Sequence, residues 1–303
     1  MKSYVWPAIF LACIATALPA TLDTARIDEL TGLKGKINEK EGTYKVTFPR
    51  DDEQVTVDGW KMPPFMGLGT WASFTKSKNG ALVMGDTVLF EDEVNAAMSA
   101  ALDAGLNVTA LHNHFFFDHP KVFFMHIEGE GSVDQLATAV RNVYEAVKQV
   151  RGTNRQPKES FGANALPDKN SINAAPLNQI FGAQGEAKDG MVKFTFGRPA
   201  TMHDVKIDNT MGVNTWAAFA GMDDNALVDG DFVVTEDELQ AVLKSLVKQK
   251  IYIVAIHQHM THEQPRMMFF HYWGRGRAKD LAESIKGAFF IAGLQKVSSP
   301  IQK

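Results

Sequence analysis

The chain reads as an α+β protein of two tandem repeats, each a mostly antiparallel sheet with helices packed on it. Three observations carry that expectation. The sequence repeats itself at a near-constant offset, strand-like runs and amphipathic helical stripes follow one another within each copy, and they do so without the regular β-α-β rhythm of a parallel sheet.

The repeat can be read directly. At an offset of 145 residues Trp71 falls on Trp216, Gly85-Asp86 on Gly230-Asp231, and Glu91, Glu93, Val94 and Leu102 on Glu236, Glu238, Leu239 and Val247. The same offset carries His112, His114, Pro120, Phe124 and His126 onto His257, His259, Pro265, Phe269 and His271. Upstream the offset drifts to between 148 and 150, as KVTFPR from Lys45 falls on KFTFGR from Lys193, a drift that small insertions explain. Residues 151–176 are rich in Gly, Pro, Asn and Ser and poor in apolar residues, the composition of a linker. The expected organisation is one repeat over 24–150, the linker over 151–176 and a second repeat over 177–297.

Within each copy the elements follow in the same order. A short helix (24–33; 176–181) precedes strands over 43–48, 55–57, 70–74 and 81–90. An amphipathic helix comes next, with Val94, Met98, Ala101 and Leu102 on one face and Leu239, Leu243, Leu246 and Val247 in the second copy, where Thr235 and Glu238 offer a capping box. Two strands, 107–116 and 121–128, are joined by a Phe-Asp-His-Pro turn and predict a hairpin. A last helix carries Leu136, Val140, Val143 and Val147, matched by Leu281, Ile285, Ala288 and Ala292.

The 303 residues are 45% hydrophobic and 22% charged, with a formal charge of −4, so the basic block that nucleic-acid binding needs is missing. Metal ions and small molecules are the expected ligands. Residues 1–20, with Lys2, an apolar run and Ala15, Ala17 and Ala20, read as a signal peptide, so the protein is expected to be exported, periplasmic or secreted, with no span left after processing. Cleavage would remove Cys13, the only cysteine; the alternative is a lipoprotein anchored through Cys13. Nucleophile elbows, phosphate loops and dinucleotide fingerprints find no match in the chain.

Histidine is where the chemistry concentrates. Eight of nine lie in two stretches, LHNHFFFDHPKVFFMH (111–126) and IHQHMTHEQPRMMFFH (256–271). Side chains alternate across a strand, so His112 and His114 should share a face with Val108 and Ala110, while Leu111 and Phe115 take the other. A tight hairpin would set His126 opposite His112 or His114, and His271 likewise beside His257 and His259. Three converging imidazoles compete for the same few hydrogen-bond partners, and a shared cation resolves that competition. The candidate ligands are therefore His112, His114, His126, His257, His259 and His271, for a divalent transition metal: zinc first, with iron or copper also suited and Met125, Met260, Met267 and Met268 nearby. Other residues have plainer readings. His119 and His262 are expected at the surface, Asp118 and Glu263 in support of turns, and Trp71 and Trp216 as core anchors. Glu128, two residues beyond His126, is a further candidate ligand or base, although its counterpart is Trp273.

These two stretches, each followed by an amphipathic helix, resemble the LppY/LpqO family of bacterial exported proteins, domain of unknown function 1259. The resemblance spans both copies. It implies export, with lipoprotein attachment in some members, and no reaction, so function rests on the histidines. Two readings follow. One is a metal-binding protein whose open coordination position could serve hydrolysis; the other is a metal-free ligand-binding or envelope-interaction module whose histidines are structural. The sequence names no catalytic residue.

Overall fold

The computed structural model of the protein describes residues 22–294, so the expected signal peptide over 1–20, with Cys13, and the last residues of the expected second repeat lie outside the described residues. The first half runs α1 (Thr24–Thr31), β1 (Lys36–Asn38), β2 (Thr43–Pro49), β3 (Thr56–Val57), β4 (Trp60–Lys61), β5 (Gly69–Ser77) and β6 (Gly80–Phe90). It continues with α2 (Val94–Asp103), β7 (Asn107–His112), β8 (Asp118–His119), β9 (Val122–Gly131) and α3 (Val133–Thr153). The second half repeats this order: α4 (Ala174–Phe181), β10 (Glu186–Lys188), β11 (Met191–Gly197), β12 (Ala200–Met202), β13 (Val205–Ile207), β14 (Asn214–Met222) and β15 (Asn225–Thr235). Then come α5 (Glu236–Lys248), β16 (Tyr252–His257), β17 (Glu263–Gln264), β18 (Met267–Gly276) and α6 (Ala278–Ile291). The fold is α+β, and among the described residues no helix is long and apolar enough to cross a membrane.

The halves share one sheet. Twelve strands follow in the order β1-β2-β5-β6-β9-β7-β16-β18-β15-β14-β11-β10, every neighbouring pair antiparallel, so the second half continues the first in mirror order. Leu111 pairs with Ile256 at the seam. Pairing β7 with β16 covers an edge that each half alone would expose. Side-chain amides close the seam from both sides: Gln240 bonds the N–H and C=O of Val108, and its counterpart Asn95 bonds the Ile253 N–H and the Ile251 C=O.

The six α-helices of the described residues all pack on one face of this sheet. Their stripes, including Leu136, Val140 and Val143 on α3 and Leu239, Leu243 and Leu246 on α5, join Val83, Leu89, Met125 and Ile127 from the strands in one core. Alternation sends Asp86, Val88, Phe124 and His126 to the opposite, open face. There a three-stranded flap in each half, β4-β3-β8 and β13-β12-β17, covers a small apolar cluster around Phe124 or Phe269.

Three local expectations are corrected here. A β-bulge between Val108 and Ala110, repeated between Ile253 and Ala255, consumes one residue and shifts the alternation, so Val108 joins Leu111 in the core while Ala110 and His112 face the open side. β7 ends at His112 rather than Phe116: residues 113–121 leave to pair with the flap at Thr56 and Val57. Phe116 and Phe117 are 85% and 82% exposed there, and Phe115 lies against Phe124 on the open face rather than opposite the histidines. The register follows from the bulge, with His126 opposite Ala110 and His112 opposite Phe124, so His126 is a diagonal neighbour of His112 and not its direct partner.

Candidate metal centre

Each half builds a histidine cluster on the open face from two strands and the segment that follows one of them. β9 supplies His126, β7 supplies His112, and the chain just beyond β7 returns His114 over Phe124, ring centroids 3.4 Å apart and nearly parallel. The His112 ring stacks between those of His114 and His126, at 5.1 Å from each. The second half reproduces the arrangement. His259 stacks on Phe269 at 3.7 Å, and His257 lies 5.0 Å from His259 and 4.7 Å from His271. All six sequence-derived histidines are thus gathered, three on each side of the seam. His119, His262 and His203 are exposed and outside both clusters.

Each cluster has a carboxylate that the sequence reading passed over. Asp86 pairs across strands with His126, and Asp231 with His271. Both aspartates are buried, and in both Oδ1 has no hydrogen-bond partner. A buried carboxylate oxygen without a donor is costly, and its occurrence at the same place in both halves marks a position waiting for a cation. The signal was present in Gly85-Asp86 and Gly230-Asp231: a carboxylate kept at the same place in both copies, shortly before the strand's apolar end. The glycine has its own cause. A Cβ at Gly230 would stand 2.3 Å from the Tyr272 hydroxyl, which donates to the Trp216 carbonyl at 2.9 Å.

The second cluster is drawn tighter. His259 Nε2 is 3.1 Å from His257 Nε2 and 3.4 Å from Asp231 Oδ2, and Asp231, His257 and His259 offer ligand atoms all within 4.8 Å of one another, an arrangement that could hold a metal ion. His259 Nδ1 faces the Gly212 carbonyl at 3.3 Å; as donor there it leaves the Nε2 lone pair for the cluster. In the first half the imidazole that comes within 4.0 Å of Asp86 is His126, Nε2 to Oδ2, the equivalent of His271 rather than of His259, and among the described residues His114 has no hydrogen bond to a carbonyl.

Electrostatics follow from burial. Desolvation raises the carboxyls of Asp86 and Asp231 above the ordinary value, with the neighbouring imidazoles pulling the other way. It lowers His114, and takes His257 down to about 4 with help from His271 and His259. Near neutral pH the His257 ring is a neutral, lone-pair donor, the form a metal takes.

Among the other sequence candidates, Glu128 shares the open face but pairs with Met84 and Asn107, away from the cluster. Asp118 and Glu263 accept the backbone N–H of Val122 and Met267 and support their turns as expected. The tryptophans are a correction. Trp71 and Trp216 are half-buried on the open face, cross-strand from Asp86 and Asp231, because their phase in β5 and β14 opposes that of Ala72 and Phe74, and of Ala217 and Phe219. They wall the sites instead of anchoring the core.

Fold and site together define a class: a tandem-duplicated α+β protein with a His/Asp cluster on the open face of each half. A family described as Domain of Unknown Function (DUF1259) matches residues 25–146 and 175–290, one segment in each half, and the chain belongs to that family. No curated protein and no solved structure is found to match it.

Proposed function

We propose that this is an exported metal-binding protein that holds a divalent transition metal, zinc before iron or copper, on the open face of each half. The donors are Asp231, His257, His259 and His271 in the second half and Asp86, His112, His114 and His126 in the first. One observation carries the reading. Ligand atoms held about 2.0–2.1 Å from a tetrahedral zinc stand ~3.3 Å from one another, and Nε2 of His259 stands 3.1 Å from His257 Nε2 and 3.4 Å from Asp231 Oδ2.

Where three donors bind, a fourth position is left to water or an anion. A metal there supplies Lewis acidity and lowers the pKa of its water, so metal-dependent hydrolysis is the activity the site supports best. Stacking of His114 and His259 on Phe124 and Phe269 is what favours the rival, a metal-free ligand-binding or envelope-interaction module with structural histidines.

Elemental analysis of tag-free protein, wild type against His257→Ala/His259→Ala, separates them. Up to two ions per chain are expected, with the variant folded and depleted. A metal content near zero after reconstitution, with the variant unfolding, would overturn the proposal in favour of the metal-free module.

A further inference from the structure

Lys45 and Lys193 stand beside these sites and take no part in them. Lys45 Nζ lies 4.0 Å from the ring centroid of Trp71, and Lys193 Nζ lies 4.2 Å from that of Trp216. Neither ammonium is within ion-pair distance of a carboxylate among the described residues, although Lys193 is near enough to Asp229, two strands away in the same cross-strand row, to oppose the rise that burial imposes on its carboxyl. Both are exposed, and both occupy the open face, since Tyr44 and Val46, and Val192 and Phe194, point into the core.

Their tryptophans belong to a cross-strand row that the two halves repeat residue for residue. Thr47, Trp71, Asp86, His126 and Ala110 follow one another across five strands; Thr195, Trp216, Asp231, His271 and Ala255 do the same. From the tryptophan strand to the histidine strand is two strand spacings, about 10 Å. A lysine laid on an indole face is already partly ordered, so less rotamer freedom is lost when it meets an anion.

We infer that each half carries an anion subsite, Lys45 over Trp71 and Lys193 over Trp216, and that the ligand is a small organic molecule with a metal-seeking group at one end and a carboxylate or phosphate at the other. This rests on the metal reading for the first end only. Length is the recognised property: the two ends must span the row from the Asp/His cluster to the ammonium. Carboxylate and phosphate share the chemistry a lysine reads, a compact oxyanion.

The test uses the full chain, reconstituted with zinc, and calorimetric titration of straight-chain α,ω-dicarboxylates from malonate to pimelate, with the matching ω-phosphonocarboxylates as a second series. Wild type is compared with Lys45→Met/Lys193→Met, which keeps the stems over the indoles, and with the double Lys→Arg variant. Affinity should peak at one chain length. The Met variant should lose at least tenfold there and show a flat profile at unchanged zinc content, while the Arg variant keeps the peak. Whichever series binds more tightly names the oxyanion. Equal affinities for wild type and Met variant at every length, or no binding to the zinc-loaded wild type, would overturn the subsite. A chain that takes up no zinc sinks the metal reading alone; inorganic phosphate titrated into that metal-free chain then decides, since lysine-dependent binding upholds the subsite and lysine-independent or absent binding ends it.

Discussion

The carboxamide of Gln240 holds both backbone groups of Val108, accepting from its N–H at 2.8 Å and donating to its carbonyl at 3.0 Å. Val108 borders the bulge of β7, and across the seam β7 pairs with β16 only at Leu111–Ile256, so β16 does not take those groups in place of Gln240. Gln240→Leu should therefore cost about 1–3 kcal/mol, the desolvation penalty of partly buried groups left unpaired. The loss is read as a lower urea midpoint with metal content intact; an unmoved midpoint would show that the seam does not depend on this residue.

Asp231→Asn has opposite consequences for the free and the loaded protein. Burial disfavours the carboxylate, as its raised pKa records, so a neutral isostere should leave the metal-free chain as stable as wild type or more so. It should also remove most of the stabilisation that added zinc confers, since that gain follows affinity. Thermal scans with and without zinc check both; equal zinc-induced shifts in the two proteins would exclude Asp231 as a ligand.

The two halves should bind metal unequally. The second has the closer donors and the Gly212 carbonyl behind His259, whereas the first has Asp86 and His126 at 4.0 Å. Zinc titration is expected in two steps, with His257→Ala/His259→Ala abolishing the tighter and His112→Ala/His114→Ala the weaker. Loss of the tight step in the first-half variant would reverse the assignment.

For His257 the sign of the pH effect is fixed by direction. Its folded pKa, about 4, lies below the ordinary 6.5, so between those values the unfolded chain binds more protons. This contribution to metal-free stability is complete above pH 6.5 and lost as pH falls toward 4, and His257→Gln should flatten that limb. An imidazole titrating at or above 6.5 in proton-resolved NMR of the metal-free protein would contradict it.

Two equivalent ion pairs should respond differently to change. Arg50–Glu93 is buried, the side chains 4% and 0% exposed, while Arg198–Glu238 is partly open. Glu93 also holds Arg151, while Arg50 keeps Asp52 and Arg151 keeps Asp92. Glu93→Ala takes the shared buried carboxylate from both guanidiniums and should cost about 3–5 kcal/mol, and Glu238→Ala, which strips a single partly open arginine, should cost less. Burial raises both carboxyls, but hydrogen bonds from Arg198 and Thr235 bring Glu238 below its ordinary value, whereas Glu93 remains above its own. Glu238 thus adds stability that is present above about pH 4.5 and lost below it, and Glu238→Gln, not Glu93→Gln, should soften acid unfolding in a urea series across pH 3–6.

Much of this molecule is written in short windows of sequence. The stripes of α3 and α5, the strands of each copy and the His-x-His spacing depend on residues within a few positions of each other, where period and composition speak for themselves, and the duplication shows as the same windows read again 145 residues on. The bulge at Val108 is also local, yet the pattern hides it: one extra residue leaves an apolar run looking like uninterrupted alternation. Asp86 illustrates the remainder. Forty positions separate it from His126 in a chain whose period says which face a side chain takes but not which strand lies alongside. By itself, then, the sequence determined the two copies, their elements and the imidazole content of each site. Only tertiary structure decided that the copies share one sheet, that an aspartate completes each cluster and that the tryptophans stand at its wall, because strand order and register are set by long-range pairing.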